Sequence, residues 1–92
     1  MRVHWTNTAI NHLISIYEYI SHDSSVYAQR LTEKLINRSE QISIFPMSGH
    51  IVIEYESKDI REVIEKPYRI IYRIKADQID ILAIAHSSQL LK

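Results

Sequence analysis

Apolar residues recur at three- and four-residue steps along the first third of the chain: Ala9, Ile10, Leu13, Ile14, Tyr17 and Ile20. That period is the stripe of an amphipathic helix. Thr6 stands just ahead of the stripe, where its side-chain oxygen can accept an orphan amide hydrogen as an N-cap. The polar run Ser21-His22-Asp23-Ser24-Ser25 ends this helix and offers caps for a second. In the second helix Ala28, Leu31, Leu35 and Ile42 keep the period, with Arg30, Glu33, Lys34 and Arg38 on other faces. Phe45-Pro46 closes it, because proline disfavours helical geometry in the residue before it. Two helices joined by so short a connection pack as an antiparallel hairpin. Arg2 to Trp5, ahead of both, reads as a short opening strand.

After Gly49 the period shortens to two. Ile51 to Tyr55 is rich in β-formers, and Asp59 to Glu65 places Ile60 and Ile64 opposite Arg61, Val63 and Glu65. Pro67 interrupts the run. From Tyr68 to Lys75 the alternation is complete, with Tyr68, Ile70, Tyr72 and Ile74 on one face and Arg69, Ile71, Arg73 and Lys75 on the other. Ala76-Asp77-Gln78 suits a turn. Ile79 to His86 is apolar on both faces apart from Asp80, as in an interior strand covered on both sides. Ser87 to Lys92 is expected to form a short helical turn. The pattern predicts an α+β fold: an N-terminal strand, an antiparallel helical hairpin, and a small, curved, mostly antiparallel sheet.

Composition narrows the function. The 92 residues make one domain, residues 1–92, and 46% of them are hydrophobic, too many for a disordered chain. One glycine leaves no room for a Walker loop or a dinucleotide fingerprint, and the absence of cysteine excludes disulfides, zinc ribbons and a thiol nucleophile. Eleven basic residues balance eleven acidic ones, so any contact with nucleic acid must rest on a local patch. No apolar run approaches the length of a membrane span, and the expected location is the cytoplasm.

Five histidines invite a metal reading, but positions 4, 12, 22, 50 and 86 form no compact ligand set, and neither a metal nor a cofactor is expected. His4, His12, His22 and His50 are expected to be solvated surface groups. His86 ends the most apolar strand near solvent, where an imidazole can exchange a proton near neutral pH or simply bond a backbone carbonyl. Arg61, Arg69 and Arg73 are the other candidates. Arginines on adjacent strands can hold a phosphate or carboxylate through two parallel hydrogen bonds, or they can pair with Glu54, Glu62, Glu65 and Asp80 across the sheet.

The order of these pieces resembles the RelE/ParE superfamily of bacterial type II toxin–antitoxin toxins. The likeness rests on Trp5 at the end of the first strand, Tyr17-Glu18-Tyr19-Ile20, Phe45-Pro46-Met47-Ser48-Gly49, Asp59-Ile60-Arg61-Glu62, Tyr68-Arg69-Ile70-Ile71-Tyr72-Arg73-Ile74 and Ile81-Leu82-Ala83-Ile84-Ala85-His86. The resemblance implies a cognate antitoxin whose disordered tail folds over the toxin's helices and sheet. It also implies one of two activities. ParE-like members poison DNA gyrase and do no known chemistry; RelE-like members cut mRNA in the ribosomal A site. In the second case Arg61 and Arg73 would hold the phosphate, His86 would move a proton, and Glu54 would be a weaker candidate base. The neutral charge, the lack of Lys and Arg between His50 and Ser57, and the tail Ser87-Ser88-Gln89-Leu90-Leu91-Lys92 without tyrosine favour the gyrase-type subgroup. Sequence-specific DNA binding by the toxin alone is not expected. A toxin that has lost its activity and persists as an antitoxin-binding module is the third possibility.

Overall fold

In the computed structural model, which describes residues 1–89, the chain forms β1 (Arg2–Trp5), α1 (Asn7–Ser21), α2 (Ser25–Ile44) and a single 3-10 turn (Pro46–Ser48). These are followed by β2 (His50–Ile51), β3 (Ile60–Glu65), β4 (Tyr68–Ile74) and β5 (Gln78–His86). Both helix starts are capped by hydroxyls. Thr6 Oγ1 accepts the Ala9 N–H at 3.2 Å, and Ser24 Oγ accepts the Tyr27 N–H at 3.1 Å. Such a cap contributes about 1 kcal/mol to its helix. Thr6 also donates its hydroxyl hydrogen to Ile81 O at 2.8 Å, which ties the first turn of α1 to β5.

The sheet order is β1-β5-β4-β3-β2, with β1 parallel to β5 and the other pairs antiparallel. The helical hairpin covers one face. Ala9, Leu31, Leu35 and Ile42 from the helices meet Val63, Ile70, Tyr72, Ile79, Ile81 and Ile84 there, with Tyr68 and Ile74 at the margin. The alternating face of β4 is therefore core, as its sequence predicts.

The opposite face has a smaller core of its own: Val52, Ile60, Ile71 and Ala85, with Tyr55, Leu82 and Ala83 against it. Its cover is the segment after β2. The run from Ile51 to Tyr55 does not continue as a strand. Val52 N–H still bonds Ile60 O at 3.3 Å, but Tyr55 N–H then turns back to Val52 O at 3.1 Å and the chain folds across the sheet. This buries Val52 completely and leaves Ile53 facing solvent. β5 is thus covered on both faces, by helices on one side and by this loop on the other.

A further expectation changes. Ile10, Ile14 and Tyr17 are about 40–50% exposed and lie outside the core. The apolar stripe of α1 is wider than the contact a helix makes with a flat layer, and its inner row is Ala9, Leu13, Ile16 and Ile20. In addition, the pairing of β4 with β5 slips between Ile71 and Tyr72, so that Ala83 and Ile81 face them and Leu82 is the extra residue of a bulge. At the C-terminal end Gln89 N–H bonds His86 O at 2.9 Å, which closes a turn over Ser87 and Ser88. The remainder of the expected helical turn, Leu90 to Lys92, lies outside the described residues.

Candidate functional site

Arg61 sits opposite Tyr72 on β4 and therefore shares the helix-facing side of the sheet with it. Its Nη1 donates to Gly49 O at 2.9 Å, while its Nε is buried without a hydrogen-bond partner. The same glycine donates its N–H to Tyr72 Oη at 3.0 Å, and Tyr72 donates its own hydrogen to Pro46 O at 2.6 Å. Burial raises the Tyr72 phenol above its ordinary pKa, and the Gly49 hydrogen bond and the Arg61 charge partly offset that rise. Arg61 and Tyr72 together fasten the 46–49 segment, the exit of α2, to the sheet.

Arg69 and Arg73 lie four residues apart on the other face, about 13 Å at roughly 3.3 Å per residue. They are in different environments. Arg69 is only 5% exposed. It donates to Glu54 Oε2 at 2.8 Å and to Glu62 Oε1 at 3.2 Å, and it also bonds the carbonyl of Gln89. The Glu54 hydrogen bond is the largest influence on this guanidinium and, against the cost of burial, holds its pKa above the usual arginine value. Arg69 therefore joins the 52–58 loop, β3, β4 and the C-terminal turn. Of the two readings the sequence left open for it, the structure shows the ion-paired one. Glu54, considered as a base, is the partner in that pair. Arg73 is exposed beside Ile60 and Asp80, but Asp80 is held by Lys75 at 2.6 Å instead.

His86 occupies the far end of β5, opposite Tyr68, and is exposed on the helix-facing side. Its ring meets that of Tyr68 edge-on, with centroids 5.9 Å apart. Ser88 N–H donates to His86 Nδ1 at 3.2 Å, and Ser88 Oγ lies 2.7 Å from the same nitrogen. The amide can only donate, so in the neutral ring the proton is on Nε2. Burial, with the nearby phenols of Tyr27 and Tyr19, raises the pKa of Tyr68.

The structure does not gather Arg61, Arg73 and His86. Arg61 and Arg73 project from opposite faces of the sheet, and His86 is opposite Tyr68, five residues along β4 from Arg73, about 17 Å at roughly 3.3 Å per residue. Arg61 and Arg69 are likewise on opposite faces, and Arg69, on the same face as Arg73, is held by Glu54 and Glu62.

One functional group of the fold escaped the sequence reading. His12 is half-buried, and its Nδ1 accepts the Ile84 N–H at 3.2 Å. β1 ends at Trp5, opposite Ile81, so the amides of β5 beyond that point lose their strand partner. His12 supplies the acceptor from α1. His4, His22 and His50 are exposed, as expected.

The open five-stranded, mostly antiparallel sheet with two helices on one face is the RelE/ParE-like architecture that the sequence predicts. The chain belongs to the family described as the ParE toxin of the type II toxin–antitoxin system parDE, whose sequence profile matches residues 3–91. It is 29% identical over 90 residues to Toxin RelE2 of Caulobacter vibrioides, a match covering 97% of this chain and 98% of that one. Its fold is similar to that of a chain from the chromosomal ParDE toxin–antitoxin system of P. aeruginosa, with a TM-score of 0.77, 22% identity and coverage of 94% and 95%. Membership of a type II system implies an antitoxin partner. Among the described residues no helix is long and apolar enough to cross a membrane.

Proposed function

We propose that this toxin arrests growth by poisoning DNA gyrase and that its antitoxin neutralises it by covering α1. The observation that carries the first half is the dispersal of Arg61, Arg73 and His86 over two faces and two ends of the sheet. Cleavage of RNA by attack of a 2′-hydroxyl needs a base at that hydroxyl, a cation at the phosphate and an acid at the leaving oxygen, all within hydrogen-bond reach of one scissile linkage. Arg73 and His86 are about 17 Å apart along the sheet at roughly 3.3 Å per residue, and Arg61, on the same face as His86, is on the opposite face from Arg73, so the three do not converge on one phosphate. The ParE family match supports the same reading. The second half is supported by Ile10, Ile14 and Tyr17, an exposed apolar row at helical spacing suited to a partner segment that folds on binding.

The test is the effect of purified toxin, in molar excess, on supercoiling by gyrase and on accumulation of the cleaved-DNA complex. Unchanged supercoiling would remove gyrase from the proposal. A second reading, cleavage of mRNA on the ribosome, is favoured by the name of the Caulobacter relative. Induction without antitoxin separates the two: early loss of thymidine incorporation indicates replication, and early loss of methionine incorporation indicates the ribosome. Normal growth with accumulated protein would identify an inactive antitoxin-binding module.

A further inference from the structure

Between α2 and the β3–β4 turn lies a hollow of about 200 Å³ lined by Tyr27, Arg30, Leu31, Lys34 and Lys66. Buried Leu31 is its apolar floor, and the other four are exposed. Arg30 and Lys34 are one helical turn apart, a like-charge spacing that slightly disfavours the helix. Glu33 stands three residues from Arg30 but accepts a hydrogen bond from Gln29 at 3.2 Å. Among the described residues the ion pairs are Arg69 with Glu54 and Glu62, and Lys75 with Asp80. None of the three cations at the hollow has an ion-pair partner among the described residues. They concentrate positive potential over a concave surface, where a low-dielectric wall strengthens it.

We propose that this hollow is a binding site for the phosphate group of a nucleotide. Arg30 can present two parallel N–H donors to phosphate oxygens, and Lys34 and Lys66 add point charges from the two sides of the hollow. A carboxylate, with two oxygens and one charge, would leave most of that field unmatched. The volume is below the roughly 300–1,000 Å³ of sites that enclose a whole organic ligand. The hollow therefore takes the charged group and leaves the remainder of the molecule outside. Tyr27, 52% exposed at the same hollow, is the aromatic side chain on which a base would stack there. The site is separate from Arg61, Arg69, Arg73 and His86 and does not depend on whether gyrase is the target.

The experiment is an amide NMR titration of the purified chain with thymidine 5′-monophosphate, with thymidine, acetate and a short oligothymidylate in parallel. The nucleotide should shift the amides around Tyr27, Arg30, Lys34 and Lys66 saturably, and thymidine should not. The K34E/K66E variant should keep a dispersed spectrum and lose at least about tenfold in affinity, equivalent to about 1.4 kcal/mol, whereas K34R should bind as wild type. Tighter binding of the oligonucleotide than of the mononucleotide would identify a strand as the source of the phosphate, and equal binding a free nucleotide. No saturable shift, an unchanged affinity in a folded K34E/K66E, or equal competition by acetate would overturn the proposal.

Discussion

Tyr72 and Gly49, 23 residues apart, hold each other in place: the Gly49 N–H donates to the Tyr72 phenol at 3.0 Å, and the phenol passes its own hydrogen to Pro46 O. Gly49 is there for space. A β-carbon added to it would lie 2.5 Å from Tyr72 Oη and 2.6 Å from Glu62 O, and its φ of −77° is open to any residue. Gly49→Ala is therefore expected to destabilise by about 1–3 kcal/mol through overpacking. Tyr72→Phe removes the hydroxyl and leaves a buried donor and acceptor unpaired, at a cost of about 1–3 kcal/mol. Urea unfolding of both variants checks this. Midpoints equal to wild type would mean that the 46–49 segment is not fastened as described.

Ile70 is fully buried at the centre of β4 against the helical hairpin. Ile70→Ala is expected to cost about 2–5 kcal/mol, the range for deleting a large aliphatic side chain from a packed core. Ile64→Ala on the neighbouring strand, where the side chain is 42% exposed, should cost distinctly less. Similar losses at both positions would contradict the strand register.

Removing one partner of a buried ion pair is expensive because the other charge stays buried. Arg69→Met removes the guanidinium from Glu54 and Glu62 and releases the Gln89 carbonyl, and is expected to destabilise by about 3–5 kcal/mol. Amide exchange should also rise in the 52–58 loop and at Ser87 to Gln89, which Arg69 joins. Arg73→Met, at an exposed position, should stay within about 0.5 kcal/mol of wild type. Slow exchange retained in the loop of Arg69→Met would show that Arg69 is not what holds the loop.

The alternation of Tyr68, Ile70, Tyr72 and Ile74 and the two-faced apolar run of β5 were legible because period-two patterning is dictated directly by strand geometry. The features that decide the candidate site were not. Leu82 breaks the β5 alternation by a bulge that no residue type announces. Ile51 to Tyr55 has strand composition, yet the segment leaves the sheet because Val52 and Tyr55 find an apolar face to cover and Glu54 finds Arg69. An arginine available to a ligand and one neutralised at home look alike in sequence. His12 could not be read at all, since its role depends on where β1 stops.

Asp80 offers a test in acid. The hydrogen bond from Lys75, chiefly, and a second from Gln78 hold its carboxyl below the ordinary pKa of 3.8 despite the opposing effect of burial. A depressed folded-state pKa contributes stability that is complete above the unfolded value and is lost as pH falls through the folded one. Asp80→Asn is therefore expected to be less stable than wild type near neutral pH and to converge with it below the usual carboxylate range. Lys75 is about half exposed, so the gap near neutrality should be modest, about 0.2–1 kcal/mol. Thermal unfolding of both proteins across acid pH measures it; a gap that persists in strong acid would assign the loss to packing.

The exposed row on α1 yields the most direct functional prediction. Ile10, Ile14 and Tyr17 lie at helical spacing on a face that neither α2 nor the sheet covers. If the antitoxin covers this row, Ile14→Glu places a charge in the contact while changing the free toxin's stability by no more than about 0.5 kcal/mol, as is usual for surface substitutions. Affinity for the antitoxin should fall by at least about tenfold, equivalent to about 1.4 kcal/mol. Cells expressing both proteins should then stop growing where those with wild-type toxin continue. Leu13→Glu, one residue away on the inner row, should instead unfold the toxin and permit growth. Full neutralisation of a folded Ile14→Glu toxin would move the antitoxin to another surface.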